Sequence, residues 1–192
     1  MTPDTLNLRL QRGTDTAVPI LLMASDFRYA EITEINATAP LTITAPAHGL
    51  PAPEWPAWLE GTSSSQLNRD KTRQPFQLLT VLDDDTLEIN SINGLQLKAS
   101  GGSVVYHPPL DTDEWQFEAL FYAADAELLT LRLGAGLTAT AGGIRLDISV
   151  DQAEQLAAAT RWELIVINAS GRQRYLCGSV NIVECQRHDS CH

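Results

Sequence analysis

The chain has 192 residues, enough to bury a core without disulfide or metal staples, and its texture divides it into two small domains. Its 24 acidic and 13 basic residues give a formal net charge of −11, which opposes nucleic-acid and anionic-membrane binding as a general property. No apolar run approaches the roughly 20 residues of a membrane-spanning helix, the N-terminus lacks the regions of a signal peptide, and three cysteines argue against a disulfide framework, so a cytoplasmic chain is expected.

Leu6, Leu8 and Leu10 alternate with polar residues, and Val18, Ile20 and Leu22 do so again after the turn at 12–15. That spacing predicts a hairpin, with residues 27–35 as a third strand. From Asn36 the texture changes, because Pro40, Pro46, Pro51, Pro53 and Pro56 exclude a helix and confine strands to short or edge positions. Short strands are expected at 41–45, 55–60, 76–82, 86–89 and 102–106. Asp83, Asp84 and Asp85 form a hairpin turn between two of them. A small barrel would close the edges of such strands.

After residue 107 clean alternation returns. Trp115, Phe117, Ala119 and Phe121 share one face, 128–133 and 144–149 repeat the period of two, and 162–167 is an almost continuous apolar run. Trp115 and Trp162 are expected in the larger core. The turn at 168–171 leads to a closing strand over 175–183. One helix is expected, over 150–159, introduced by Ser149 with Gln152 three positions on, a capping-box pattern. The fold class expected is all-β: a discontinuous β-sandwich (residues 1–35 and 107–186), an inserted small β-barrel (36–106), one short helix and a flexible tail (187–192).

The segment 43–50, Ile-Thr-Ala-Pro-Ala-His-Gly-Leu, resembles the small barrel inserted in many tailed-bacteriophage structural proteins, which is similar to the first catalytic-cysteine half-domain of ubiquitin-activating enzymes. The resemblance continues through Leu59, Glu60 and Gly61, through Leu67 and Asn68, through 80–89, and through 99–102. Glu54-Trp-Pro-Ala-Trp58 and the loop 68–74 depart from that pattern. No ubiquitin chemistry is implied, since 36–106 contains no cysteine. The flanks resemble the N-terminal sandwich of phage upper baseplate proteins, on 115–119, 149–152 and 174–180.

These resemblances imply a non-enzymatic virion protein of the tail, baseplate or neck, an adaptor for fibres or neighbouring subunits, assembled in the host cytoplasm. The partners implied are other virion proteins and further copies of the chain, with no nucleic acid, membrane or cofactor. Two other classes stand beside this one, a receptor- or glycan-binding module of the tail and a capsid decoration protein.

No Gly-x-Ser-x-Gly elbow, phosphate-cradling Gly-Lys loop or His-Glu-x-x-His pair is present, and no catalytic or metal residue is assigned. His48 stands alone between Ala47 and Gly49 and reads as a turn histidine bonded to backbone. The Asp83–Asp85 trio reads as a solvated turn, and the pairs Gly101-Gly102 and Gly142-Gly143 as turns. Trp55 and Trp58 read first as core or barrel-mouth packing, with an exposed aromatic platform, which would make them the candidate partner-binding residues, as the alternative. Cys185, His188, Cys191 and His192 offer zinc-type ligands at a spacing that fits no usual finger.

Overall fold

The computed structural model describes residues 4–183. The protein is all-β, with 52% of residues in strands and one short helix. It folds as two compact units, Met1–Ile20 with Asp111–His192, and the inserted Leu21–Leu110.

The first unit begins with β1 (Asp4–Thr5), β2 (Leu8–Gln11) and β3 (Thr16–Leu21). The inserted unit holds β4 (Arg28–Glu31), β5 (Glu34–Asn36), β6 (Leu41–Thr44), β7 (Glu54–Glu60), β8 (Gln77–Val81), β9 (Thr86–Ile89) and β10 (Ser103–Tyr106). The first unit resumes with β11 (Gln116–Ala123), β12 (Ala126–Leu133), β13 (Gly136–Thr140) and β14 (Gly143–Ile148). It ends with the helix α1 (Val150–Gln155), β15 (Arg161–Asn168) and β16 (Gly171–Val183).

In the inserted unit the strand order is β4-β10-β7-β8-β9-β6-β5. Its two end strands are separated in sequence by Ile32 and Thr33 alone, so the sheet must bend round until its edges nearly meet. Those two residues complete the seam: Ile32 N donates to the Gly102 carbonyl at 3.0 Å and Thr33 N to the Thr44 carbonyl at 2.9 Å. The result is a nearly closed barrel, which removes the exposed edges that short, proline-interrupted strands would otherwise present. Alternate residues of each strand fill it, among them Leu41, Ile43, Trp55, Leu59, Leu79, Leu87, Ile89, Val104 and Tyr106.

The first unit is a curled nine-stranded sheet in the order β1-β16-β15-β11-β12-β13-β14-β3, with β2 also on β16. Phe121 and Trp162 are fully buried and stack with ring centroids 6.2 Å apart. The predicted capping box is present: Ser149 N donates to Gln152 Oε1 at 2.9 Å and Gln152 N to Ser149 Oγ at 3.3 Å. The helix itself stops at Gln155, and Leu156–Ala158 continue as a 3₁₀ turn.

Several expectations are corrected. β2 and β3 do not form a hairpin: β2 pairs in parallel with the end of β16, Leu8 opposite Val180 and Gln11 opposite Val183, while β3 lies beside β14. Alternation fixes which face of a strand is buried and leaves its neighbour open. Residues 27–35 are not a third strand of the first unit, because β4 pairs with β10 and β5 with β6 in the barrel. The division therefore falls after Ile20 and Leu110 and not after 35 and 106. Backbone bonds from Ala24 N to Pro108 O at 2.9 Å and from Leu110 N to Leu22 O at 2.8 Å tie the two connecting segments together, so they travel with the barrel. Trp115 precedes β11 and is half-buried, so of the two tryptophans only Trp162 is a core residue.

Candidate docking surfaces

Trp55 and Trp58 occupy opposite faces of β7, since neighbouring strand residues point in alternate directions. Trp55 points into the barrel, is 1% exposed, and donates from Nε1 to the His107 carbonyl at 2.9 Å. Trp58 points the other way yet is only 9% exposed. Its Nε1 donates to the Gln74 carbonyl at 2.8 Å, so the loop 68–74 closes over the indole, and Phe27, Phe76 and His107 meet its ring edge-on. Burial overturns the exposed platform: neither tryptophan offers a ring face to a partner. What reaches solvent around Trp58 is Phe76, Leu78 and Tyr29, each at least half exposed. Lys71 spans Phe27 and Tyr29 with Nζ 5.6 and 5.4 Å from their ring centroids, and its ammonium pairs with Glu60 at 2.9 Å. Hydrogen bonding from Lys71 holds the Glu60 carboxyl below its usual range.

His48 is buried, 2% exposed, and all its polar groups serve the fold. Its Nε2 lies 2.9 Å from the Asp83 carbonyl, its Nδ1 accepts from Leu50 N at 3.0 Å, and its own carbonyl accepts from the Tyr106 hydroxyl. The Asp83–Asp85 turn faces it. Asp85 Oδ1 accepts from Ala47 N at 2.8 Å and Asp83 Oδ1 from Asp85 N at 2.9 Å, so two of the three carboxylates are committed to turn geometry. Gly102 has φ +94° and would place a Cβ 2.7 Å from the Glu60 carbonyl and the Thr62 nitrogen, a close approach that requires glycine.

In the first unit an open groove of about 430 Å³ is lined by Asp15, Asp147, Ser149 and Gln152. Its polar groups are occupied: Asp15 Oδ1 accepts from Val150 N at 3.0 Å, and Asp147 is held by Arg145 at 2.6 Å and by Thr138 at 2.7 Å. Among the described residues no group of three or more His, Cys, Asp or Glu side chains could hold a metal ion. Cys185, His188, Cys191 and His192 lie outside the described residues. Among the described residues no helix is long and apolar enough to cross a membrane.

A cluster of ion pairs lies on a surface that sequence motifs did not single out. On the face of β12, β11, β15 and β16 that carries Glu118, two partly buried carboxylates each serve two arginines. Glu118 takes Arg132 at 2.8 Å and Arg172 at 3.0 Å, and Glu163 takes Arg174 at 3.0 Å and Arg161 at 3.4 Å. Register explains the grouping: Glu118 stands opposite Arg132 and Ile165, and Ile165 stands opposite Arg174. Leu120 and Ile165, both buried, floor the array, and the Arg161 guanidinium lies 4.4 Å from the Tyr122 ring centroid. The two guanidinium partners, Arg172 foremost, hold the Glu118 carboxyl below its ordinary value of 4.5. The signal in the sequence is Arg161 with Glu163 and Arg172 with Arg174, charges two apart beside the predicted strands, which in the structure extend to include them.

No family model, curated protein or solved structure matches this chain.

Proposed function

We propose that this protein is a non-enzymatic structural component of a tailed-phage virion, an adaptor of the tail, baseplate or neck that docks other virion proteins and works in several copies. The observation that carries the reading is where the barrel resemblance falls in the fold. His48-Gly49 and Asp83–Asp85 are hydrogen-bonded to one another, and Gly102 packs on Glu60 and Thr62 while accepting from Ile32. The residues that carry the resemblance are thus the ones that shape and close the barrel. Docking would use the rigid sheet faces described above, with neither tryptophan at the contact. Mass spectrometry and cryo-EM of virions purified from cells expressing the coding sequence test the proposal: the chain is expected at fixed stoichiometry in a tail or neck ring, and its absence from intact particles overturns the reading.

A further inference from the structure

The array of β12, β11, β15 and β16 holds four arginines over two carboxylates. Arg132, Arg161, Arg172 and Arg174 have side chains 62%, 44%, 56% and 48% exposed, whereas Glu118 and Glu163 are each 16% exposed. Four positive charges less two negative ones leave a surplus of two in a chain whose formal charge is −11. Counting Asp125 and Glu127 beside it, this face carries four positive and four negative charges, a local balance in a chain that is acidic as a whole. Of the flanking carboxylates, Asp125 is 3.7 Å from Arg161 and fully exposed, and Glu127 is tied to Thr130. Arg172 contacts Glu118 through Nη2 and Arg174 contacts Glu163 through Nη1, so at half exposure each still directs guanidinium donors to solvent.

We propose that this face binds an acidic polypeptide segment in extended form, with carboxylates at alternate positions. Arg172 and Arg174 are two residues apart on one strand, a separation of about 6–7 Å, which is also the spacing of alternate side chains on an extended partner. A guanidinium fork receives a carboxylate through paired N–H donors, and this face already uses that chemistry on Glu118 and Glu163. The chain as a whole is acidic, at a formal −11, which disfavours a long polyanion such as nucleic acid, whose affinity grows with the number of phosphates neutralised. That the segment belongs to a neighbouring virion protein rests on the functional reading above. The binding chemistry does not.

The test is fluorescence anisotropy of the full chain with a labelled peptide of alternating glutamate and serine, a glutamine-serine counterpart, and an oligothymidylate of equal charge. The acidic peptide is expected to bind and to lose about tenfold or more in affinity between about 50 and about 300 mM NaCl. Arg172→Gln with Arg174→Gln should abolish that binding in a chain that still unfolds cooperatively. The corresponding lysine pair, which keeps charge and loses the fork, should bind with intermediate affinity, and Arg145→Gln should bind as the parent does. Equal binding of the glutamine peptide, undiminished binding by the glutamine pair, or preference for oligothymidylate overturns the proposal. So does salt-sensitive self-association abolished by the glutamine pair, which would make a second copy the occupant. Peptide binding by a chain absent from virions would leave this inference standing and remove the virion reading, and the converse result would do the reverse.

Discussion

Trp162 donates its indole Nε1 to the backbone carbonyl of Leu6 at 2.7 Å, joining a fully buried aromatic of the first unit to the segment between β1 and β2. That carbonyl also sits against Gly178, where a Cβ would lie 2.0 Å from the Leu6 oxygen. Leu6 N in turn donates to the Cys177 carbonyl at 2.9 Å. A sterically bare position on β16 thus lets the N-terminal segment come close enough for the indole to reach it.

Gly178→Ala must push that segment away, and overpacking with loss of the indole bond should cost at least about 3 kcal/mol in a denaturant titration. Trp162→Ala should cost about 3–5 kcal/mol as a large cavity forms. Trp115→Ala, at a half-buried site outside the strand, should cost clearly less than Trp162→Ala.

His48 should exist as its Nε2–H tautomer, because the Asp83 carbonyl can only accept and the Leu50 N–H can only donate. Nitrogen-correlated NMR of the imidazole reads this directly, and an Nδ1–H pattern would contradict the network. His48→Ala leaves the buried Leu50 N–H and the part-buried Asp83 carbonyl without their partner, so a loss of about 1–3 kcal/mol is expected in chemical unfolding.

Acid should weaken the first unit partly through Glu118. Its folded pKa is lowered by Arg172 and Arg132, so its contribution is complete above the ordinary value of 4.5 and is lost as the pH falls through the lowered folded value. Asp147, lowered by Arg145 and Thr138, acts in the same direction from its ordinary 3.8. Glu118→Gln should be less stable than the parent by about 1 kcal/mol at neutral pH, and the gap should narrow as the pH falls below the ordinary 4.5 in melting curves. A gap that widens in acid would contradict the assignment.

Gln77 is buried on β8 with neither amide atom hydrogen-bonded to the protein. Gln77→Met keeps the shape and removes the polar burden, so stability should rise by about 1 kcal/mol, measured as a higher denaturant midpoint at unchanged slope. A destabilised variant would show that the amide is satisfied in solution.

Strand positions were the most readable part of the sequence, because period-two burial is written into runs such as Ile43, Ala45 and Leu87, Ile89. The helix cap was readable for the same reason: Ser149 and Gln152 interact within four residues. Pairing was less so, since nothing in Leu8 and Leu10 says whether β3 or β16 stands beside them. Trp55 and Trp58 show the limit at a site: two similar residues three apart, one filling a core and one sealed by a loop that comes back from residue 74. The arginine array was hidden because it assembles from four strands, and only the register between them brings Arg132, Arg172 and Arg174 to Glu118 and Glu163.

The parallel pairing of β2 with β16 has a consequence for synthesis. Leu8 must wait for Val180, so the opening strands leave the ribosome without a partner until nearly the whole chain has followed. The barrel, complete within Leu21–Leu110, has every strand it needs long before then. It is therefore placed to fold first during translation, and its connecting segments, bonded at Ala24 to Pro108 and Leu22 to Leu110, would carry the waiting N-terminus back to where the late strands emerge. An inserted domain in this position acts as a clasp that shortens the effective distance between the two halves of its host.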